Sequence, residues 1–189
     1  MIFIKPIRIV FVTVVTALFL SACASKPVSN MGITGAPDWV NQGSQTLKDD
    51  GNRYIYGIGS TPTMNDLSLQ TSTADEHARA EVARVLSTFM HVVSHDYGAS
   101  VGMGQDNQNE QSESRQIESI TNQNISGAQI AAHWRDPKTG TIWSLVKINM
   151  NNVKAMVARS DAMNASFKKY FAGHADNVFD SMIKGGGNE

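Results

Sequence analysis

Apolar and polar positions change their rhythm several times along this chain, and each change marks an element. Residues 9–20 form an unbroken run dominated by large apolar side chains. Alternation takes over at residues 53–60, where Tyr54, Tyr56 and Ile58 fall on one side and Ile55, Gly57 and Gly59 on the other. A period of two predicts a strand. Its small-residue face predicts that a helix backbone approaches it closely.

Helical spacing follows. Ala74, Ala78, Val82, Val85, Leu86 and Phe89 recur at steps that share one helix face, with Glu76, Arg79, Ala80, Ala83 and Arg84 opposite. The helix starts between Asp66 and Thr73. Thr73-Ala74-Asp75-Glu76 matches a capping box, in which Thr73 and Glu76 satisfy each other's free backbone N–H groups. From Ser87 the composition turns β-branched and aromatic, so Thr88-Phe89-Met90-His91-Val92-Val93-Ser94-His95 predicts a second strand reaching Tyr97. Residues 98–109 are rich in glycine and amides and read as a long loop. Residues 110–124 are polar around Ile117 and Ile120 and fit a short solvated helix or an edge extension.

Residues 128–135 and 141–150 flank Asp136-Pro137-Lys138-Thr139-Gly140, a hairpin signal. Asp and Pro open a type I turn, and Gly140 supplies the positive φ that returns the chain. With residues 137–140 as the loop, Asp136 opposes Thr141 and Trp134 pairs with Trp143, a contact that contributes about 0.5–1 kcal/mol. Asn151 or Asn152 caps a final helix. Its apolar stripe runs from Val153 through Val157, Met163, Phe167 and Phe171 to Met182, with Gly173 as a break or kink. Pro37-Asp38-Trp39-Val40 marks the first docking of the chain, with Trp39 as a core plug. These elements predict an α+β fold: a small, mostly antiparallel sheet with helices on one face, in the order β-α-β-(variable)-β-β-α.

The apolar run changes meaning once its flanks are considered. Lys5 and Arg8 precede it and the small residues Ser21 and Ala22 follow it, which is the plan of an export signal. The run is about a dozen residues, short of the roughly 20 that a membrane-spanning helix needs. Leu20-Ser21-Ala22-Cys23 ends on the only cysteine of the chain. That is the layout of a bacterial lipoprotein signal, cut between Ala22 and Cys23, with the Cys23 thiol carrying diacylglycerol and the new amine a further acyl chain such as palmitate. One acyl chain binds a membrane only marginally, whereas several make a stable anchor. Ala22-Cys23-Ala24 also fits the A-x-A pattern of ordinary signal peptidase, which would release a chain starting at Ser25. Ala24-Ser25 places no acidic residue beside the cysteine, which favours the outer membrane over retention at the inner one.

This partitions the chain into a signal peptide (residues 1–22), a lipidated flexible tether (23–36), one α+β domain (37–184) and a disordered tail (185–189). The mature chain of roughly 165 residues suits a single domain. Loss of Lys5 and Arg8 takes the 16 basic residues to 14 against 17 acidic ones, a net charge of −3. No basic stripe points to nucleic acid. With Cys23 used as the anchor, no thiol is left for a disulfide or for catalysis.

Candidate chemistry is sparse. His91-x-x-x-His95 has the spacing of two zinc ligands on a helix. It lies in the segment read as a strand, however, where the two residues sit about 13 Å apart, too far for one ion. No metal site and no cofactor is therefore expected. His77, His133 and His174 show no ligand spacing, and no G-x-S-x-G elbow accompanies the serines. The aspartates fall in turns and caps. The chain reads as a non-enzyme, and no small-molecule substrate is evident.

Pro37-Asp38-Trp39-Val40, Tyr54-Ile55-Tyr56-Gly57-Ile58-Gly59-Ser60, Ala78-Arg79-Ala80-Glu81-Val82-Ala83-Arg84, Ser126-Gly127 and the hairpin from Asp136 to Val146 occur in an order that resembles the Lpp-twenty-type family of bacterial outer-membrane lipoproteins. Residues 98–109 depart from that pattern. The resemblance implies a small α+β domain without known catalysis. Members include surface antigens and a flagellar outer-membrane lipoprotein that forms rings or disks around the motor. The expected function is an outer-membrane lipoprotein, facing the periplasm or the cell surface, that acts in envelope assembly through self-association or envelope protein partners, including at the flagellar base. The alternative is a binding module for peptidoglycan or a cell-wall synthase.

Overall fold

In the computed structural model, which describes residues 30–44, 47, 53–101, 117, 118, 121 and 127–185, the alternation at residues 53–60 becomes strand β1 (Tyr54–Thr61). Ile55, Gly57, Gly59 and Thr61 face inward. Across them lies helix α2 (Leu67–Ser100), with Ala74, Ala78 and Val82 fully buried. A Cβ on Gly57 would lie 2.6 Å from the Val82 amide nitrogen, and one on Gly59 would lie 2.6 Å from the Ala74 carbonyl oxygen. The close approach expected of the small-residue face is therefore present, and no larger residue fits there without moving the helix.

Helix α2 differs from the sequence expectation at both ends. It begins at Leu67, capped by Asp66, whose carboxylate accepts from the Ser68 and Leu69 amides at 2.8 and 3.0 Å. Thr73 lies inside the helix with its hydroxyl donated to the Leu69 carbonyl (2.8 Å), so Thr73 and Glu76 form no capping box. The helix also runs on through the segment read as a second strand, and no strand forms between Ser87 and Tyr97. The reason is tertiary. Leu86, Phe89, Met90 and Val93 are also spaced for a helix, and in that form all are buried. Phe89 meets Phe171 and Phe179 edge-on at 6.0 and 6.1 Å, and Tyr97 meets Phe167 at 5.5 Å. The β preference of Thr88, Val92 and Val93 is a weak local term that this burial overrides.

Strands β2 (Gln129–Arg135) and β3 (Ile142–Asn149) form the expected hairpin. The Asp136 amide donates to the Thr141 carbonyl at 2.9 Å, Gly140 has φ 70°, and Trp134 pairs with Trp143. A register shift between Ile130 and Ala132 interrupts β2. The three strands are antiparallel in the order β1-β3-β2.

The second face of the sheet is closed by the short helix α1 (Asp38–Gln42). Trp39 and Val40 bury against Leu145, with Tyr56, Ile58, Trp134 and Trp143 around them. Trp39 is thus a core plug, as its position suggests. Residues 30–36, expected to belong to the tether, are docked instead. Met31 N donates to the Asn41 carbonyl at 3.0 Å, and Ile33 exchanges two hydrogen bonds with the Asn41 side chain at 2.9 and 3.0 Å.

The final helical stripe is two helices. Asn149, rather than Asn151 or Asn152, caps α3 (Met150–Arg159) through the Asn151 amide at 2.7 Å. Ser160 leaves the helical conformation with ψ 124°. Asn164 then opens α4 (Ala165–Gly185) by accepting from Phe167 N at 2.8 Å. The break is therefore at residues 160–164, and Gly173 sits inside α4. Arg53 reaches back to Asp180 through two hydrogen bonds of 2.8 and 2.9 Å, tying α4 to the start of β1.

The fold is α+β, with the long helices on one face of an antiparallel sheet. The described elements run α-β-α-β-β-α-α. The residues expected to form a signal peptide with cleavage between Ala22 and Cys23, residues 48–52 and most of the variable stretch lie outside the described residues. Ile117 is buried in the main core.

Candidate functional site

Polar groups concentrate on the seam where α2 crosses the sheet. Register pairs His133 with Ser144 on the sheet face toward α2, and Asp75 lies above them. Ser144 Oγ and His133 Nε2 both donate to Asp75 Oδ1, each at 2.6 Å. Ser144 is fully buried. A nucleophilic serine needs its proton on a histidine that a carboxylate orients in turn. Here both donors end on one carboxylate oxygen, and the serine donates to the carboxylate directly. The arrangement works as a clamp between α2, β2 and β3.

The clamp has neighbours of the same kind. Gln70 Nε2 donates to the Gly140 carbonyl at 2.8 Å and the Thr61 carbonyl at 3.2 Å. His77 Nδ1 donates to the Ser60 carbonyl at 2.9 Å. Arg79 donates to the Ala128 carbonyl at 2.7 Å. Four residues of α2, Gln70, Asp75, His77 and Arg79, thus stitch about two and a half turns of the helix to the strands and the hairpin. Only the helix spacing of these residues is visible in the sequence; their partners emerge with the strand register.

Away from the seam, the described residues also line hollows. An open groove of about 450 Å³ lies between α2 and α4, lined by Val92, Asp96, Tyr170, His174, Val178 and Met182 among others. The Tyr170 and His174 rings stack there at 4.1 Å, and His174 Nδ1 donates to the Tyr170 carbonyl at 2.9 Å. A second, more polar hollow of about 330 Å³ lies at the end of the sheet, between Tyr54, Gly127, Gln129, Lys147, Asn149, Asn151 and Asn152. Lys147 Nζ sits 4.7 Å from the Tyr54 ring centre.

Among the described residues four charged groups are shifted, Arg53, Glu81, Arg84 and Asp136, each by a contact that also ties parts of the fold together. Hydrogen bonding to Asp180 raises the Arg53 guanidinium above its ordinary value. The Thr139 hydroxyl and the Lys138 amide hold the Asp136 carboxyl below its ordinary value in the hairpin turn. Arg84 does the same for Glu81.

The sequence-derived candidates are distributed as follows. Cys23 and Ala22 lie outside the described residues. His91 and His95 lie one turn apart on the exposed side of α2, not on a strand. Among the described residues no group of three or more His, Cys, Asp or Glu is placed to hold a metal, and no helix is long and apolar enough to cross a membrane. No protein-family model matches the chain, and no curated protein matches it.

Proposed function

We propose that the protein is a lipoprotein of the outer membrane, anchored through Cys23, whose domain works in envelope assembly without catalysis. Self-association is its mode of action, including at the flagellar base. The observation that carries the anchor is Leu20-Ser21-Ala22-Cys23 closing a short apolar run behind Lys5 and Arg8. The ordered set of segments that resembles the Lpp-twenty-type family supports the assembly role.

The docking of residues 30–36 bears on how the anchor works. Residues 23–29 remain between the lipid and the first described residue, and seven residues reach at most ~25 Å when extended. The domain is then held close to the bilayer. The docked segment packs with Trp39 and Val40 on the sheet face opposite α2. Among the described residues no further strand pairs with the outer edges of β1 and β2, and those edges are the surfaces this reading offers to partners.

Metabolic labelling tests the anchor. Palmitate label should enter the wild-type chain and be lost, with precursor accumulating, in Cys23→Ser. Processing at Ala24 without label would remove the lipoprotein reading. Native mass measurement of the mature chain tests assembly: multimers support it, and a strict monomer at high concentration overturns it.

A second reading is favoured by the polar hollow at the sheet end. The Gln129, Asn149, Asn151 and Asn152 amides and the Lys147 ammonium suit the hydroxyls and carboxylates of peptidoglycan. Co-sedimentation with purified sacculi that Lys147→Ala reduces would support it, and failure of the wild-type protein to pellet removes it.

A further inference from the structure

The chain contains five histidines, and the fold engages three of them. His77 Nδ1 is held by the Ser60 carbonyl, His133 Nε2 by Asp75 and His174 Nδ1 by the Tyr170 carbonyl. His91 and His95 are different. Both are exposed, and neither ring has a hydrogen-bond or ion-pair partner among the described residues.

Their placement follows from the extension of α2 past Ser87. As a strand, residues four apart lie about 13 Å from one another. As a helix, they stand on one face with Cβ atoms about 5–6 Å apart. Phe89, Met90, Val93 and Ser94 bury the other side of α2, so the two imidazoles are presented together to solvent from a rigid, well-packed helix. Two imidazoles at that spacing close on one ion at nitrogen–metal distances of about 2.0–2.1 Å.

The ligand set chooses the ion. Imidazole suits Zn²⁺, Ni²⁺ and Cu²⁺, whereas Ca²⁺ and Mg²⁺ require oxygen donors. No third protein ligand joins the pair among the described residues. The remaining coordination positions therefore stay open to water or to an incoming donor, unlike a closed structural zinc site. We propose that His91 and His95 form a two-histidine surface site on α2 for a borderline divalent transition cation. The site is independent of the lipid anchor and of the assembly role.

The test uses the untagged, mature full chain in detergent. Calorimetric titration with Ni²⁺ should give one equivalent per chain, and the Cu²⁺ electron paramagnetic resonance spectrum should show coupling to two imidazole nitrogens. His91→Gln and His95→Gln should each weaken binding at least about tenfold, because either change breaks the chelate into a single contact. His174→Gln should leave binding unchanged. Both exposed variants should keep the wild-type circular dichroism and melting temperature, which separates loss of a ligand from loss of fold. Equal affinity in the wild type and both single variants, or a Cu²⁺ spectrum with one coupled nitrogen, would overturn the proposal.

Discussion

Gly59 runs beneath Ala74 so closely that a Cβ on the glycine would lie 2.6 Å from the Ala74 carbonyl oxygen and 2.7 Å from the His77 carbonyl carbon. The obstructing atoms are helix backbone, which no rotamer change can move. Gly59→Ala should therefore destabilise the domain by about 1–3 kcal/mol or more, as overpacking of a tight core does. Gly57→Ala should behave alike, since its Cβ meets the Val82 amide nitrogen at 2.6 Å. Chemical denaturation of each variant checks this, and a midpoint equal to wild type would contradict the close approach of α2 to β1.

Gly173 is the opposite case. It lies inside α4, exposed, and a Cβ there meets nothing within 4 Å. Glycine in a helix interior is less favourable than alanine by roughly 0.5–1 kcal/mol. Gly173→Ala should stabilise the domain by about that amount and raise the melting temperature. A helix that breaks at Gly173 would respond with a loss instead, so the sign of the change in a thermal melt distinguishes the two.

What the sequence reveals divides along the range of the forces involved. Strand β1 and the β2–β3 hairpin are legible because alternation and Asp-Pro-x-x-Gly turn chemistry are local, and the Trp134–Trp143 pair follows by counting from the turn. The continuation of α2 is not legible locally. Thr88, Val92 and Val93 favour a strand, and the deciding partners of Phe89 are Phe171 and Phe179, far along the chain. The same limit applies to Asp75. Hairpin register already sets His133 opposite Ser144, yet nothing near Asp75 tells that this turn of α2 lies above that pair. The His91–His95 spacing is visible throughout, but its meaning reverses with the element that carries it. The pattern read as an export signal in residues 1–23 is local too, since it rests on Lys5, Arg8, one apolar run and the residues that close it.

The Asp75 clamp makes a quantitative prediction. Asp75→Ala removes the acceptor of Ser144 Oγ, a hydroxyl on a fully buried residue, and of the half-exposed His133 ring. A buried donor left without a partner costs about 1–3 kcal/mol. The single variant should lose about that much in denaturant titration. In the Ser144→Ala background the same change should cost less, because the stranded hydroxyl is gone. Full additivity in that double-mutant cycle would show that Asp75 and Ser144 do not act together.

Asp136 ties hairpin stability to acid. Its carboxylate accepts from the Thr139 hydroxyl at 2.7 Å and the Lys138 amide at 2.8 Å, and these bonds hold it below its ordinary value. A carboxyl whose folded value is depressed stabilises the fold above its unfolded value, about 3.9. That contribution fades as pH falls through the lower folded value, because the unfolded chain takes up the proton first. Asp136→Ala should therefore be less stable than wild type at pH 6, and the gap should narrow steadily toward pH 2. Denaturation midpoints of the two proteins across that range check the sign. A gap that stays constant would mean that Asp136 acts in the turn without its charge, and one that widens in acid would reverse the linkage argued here.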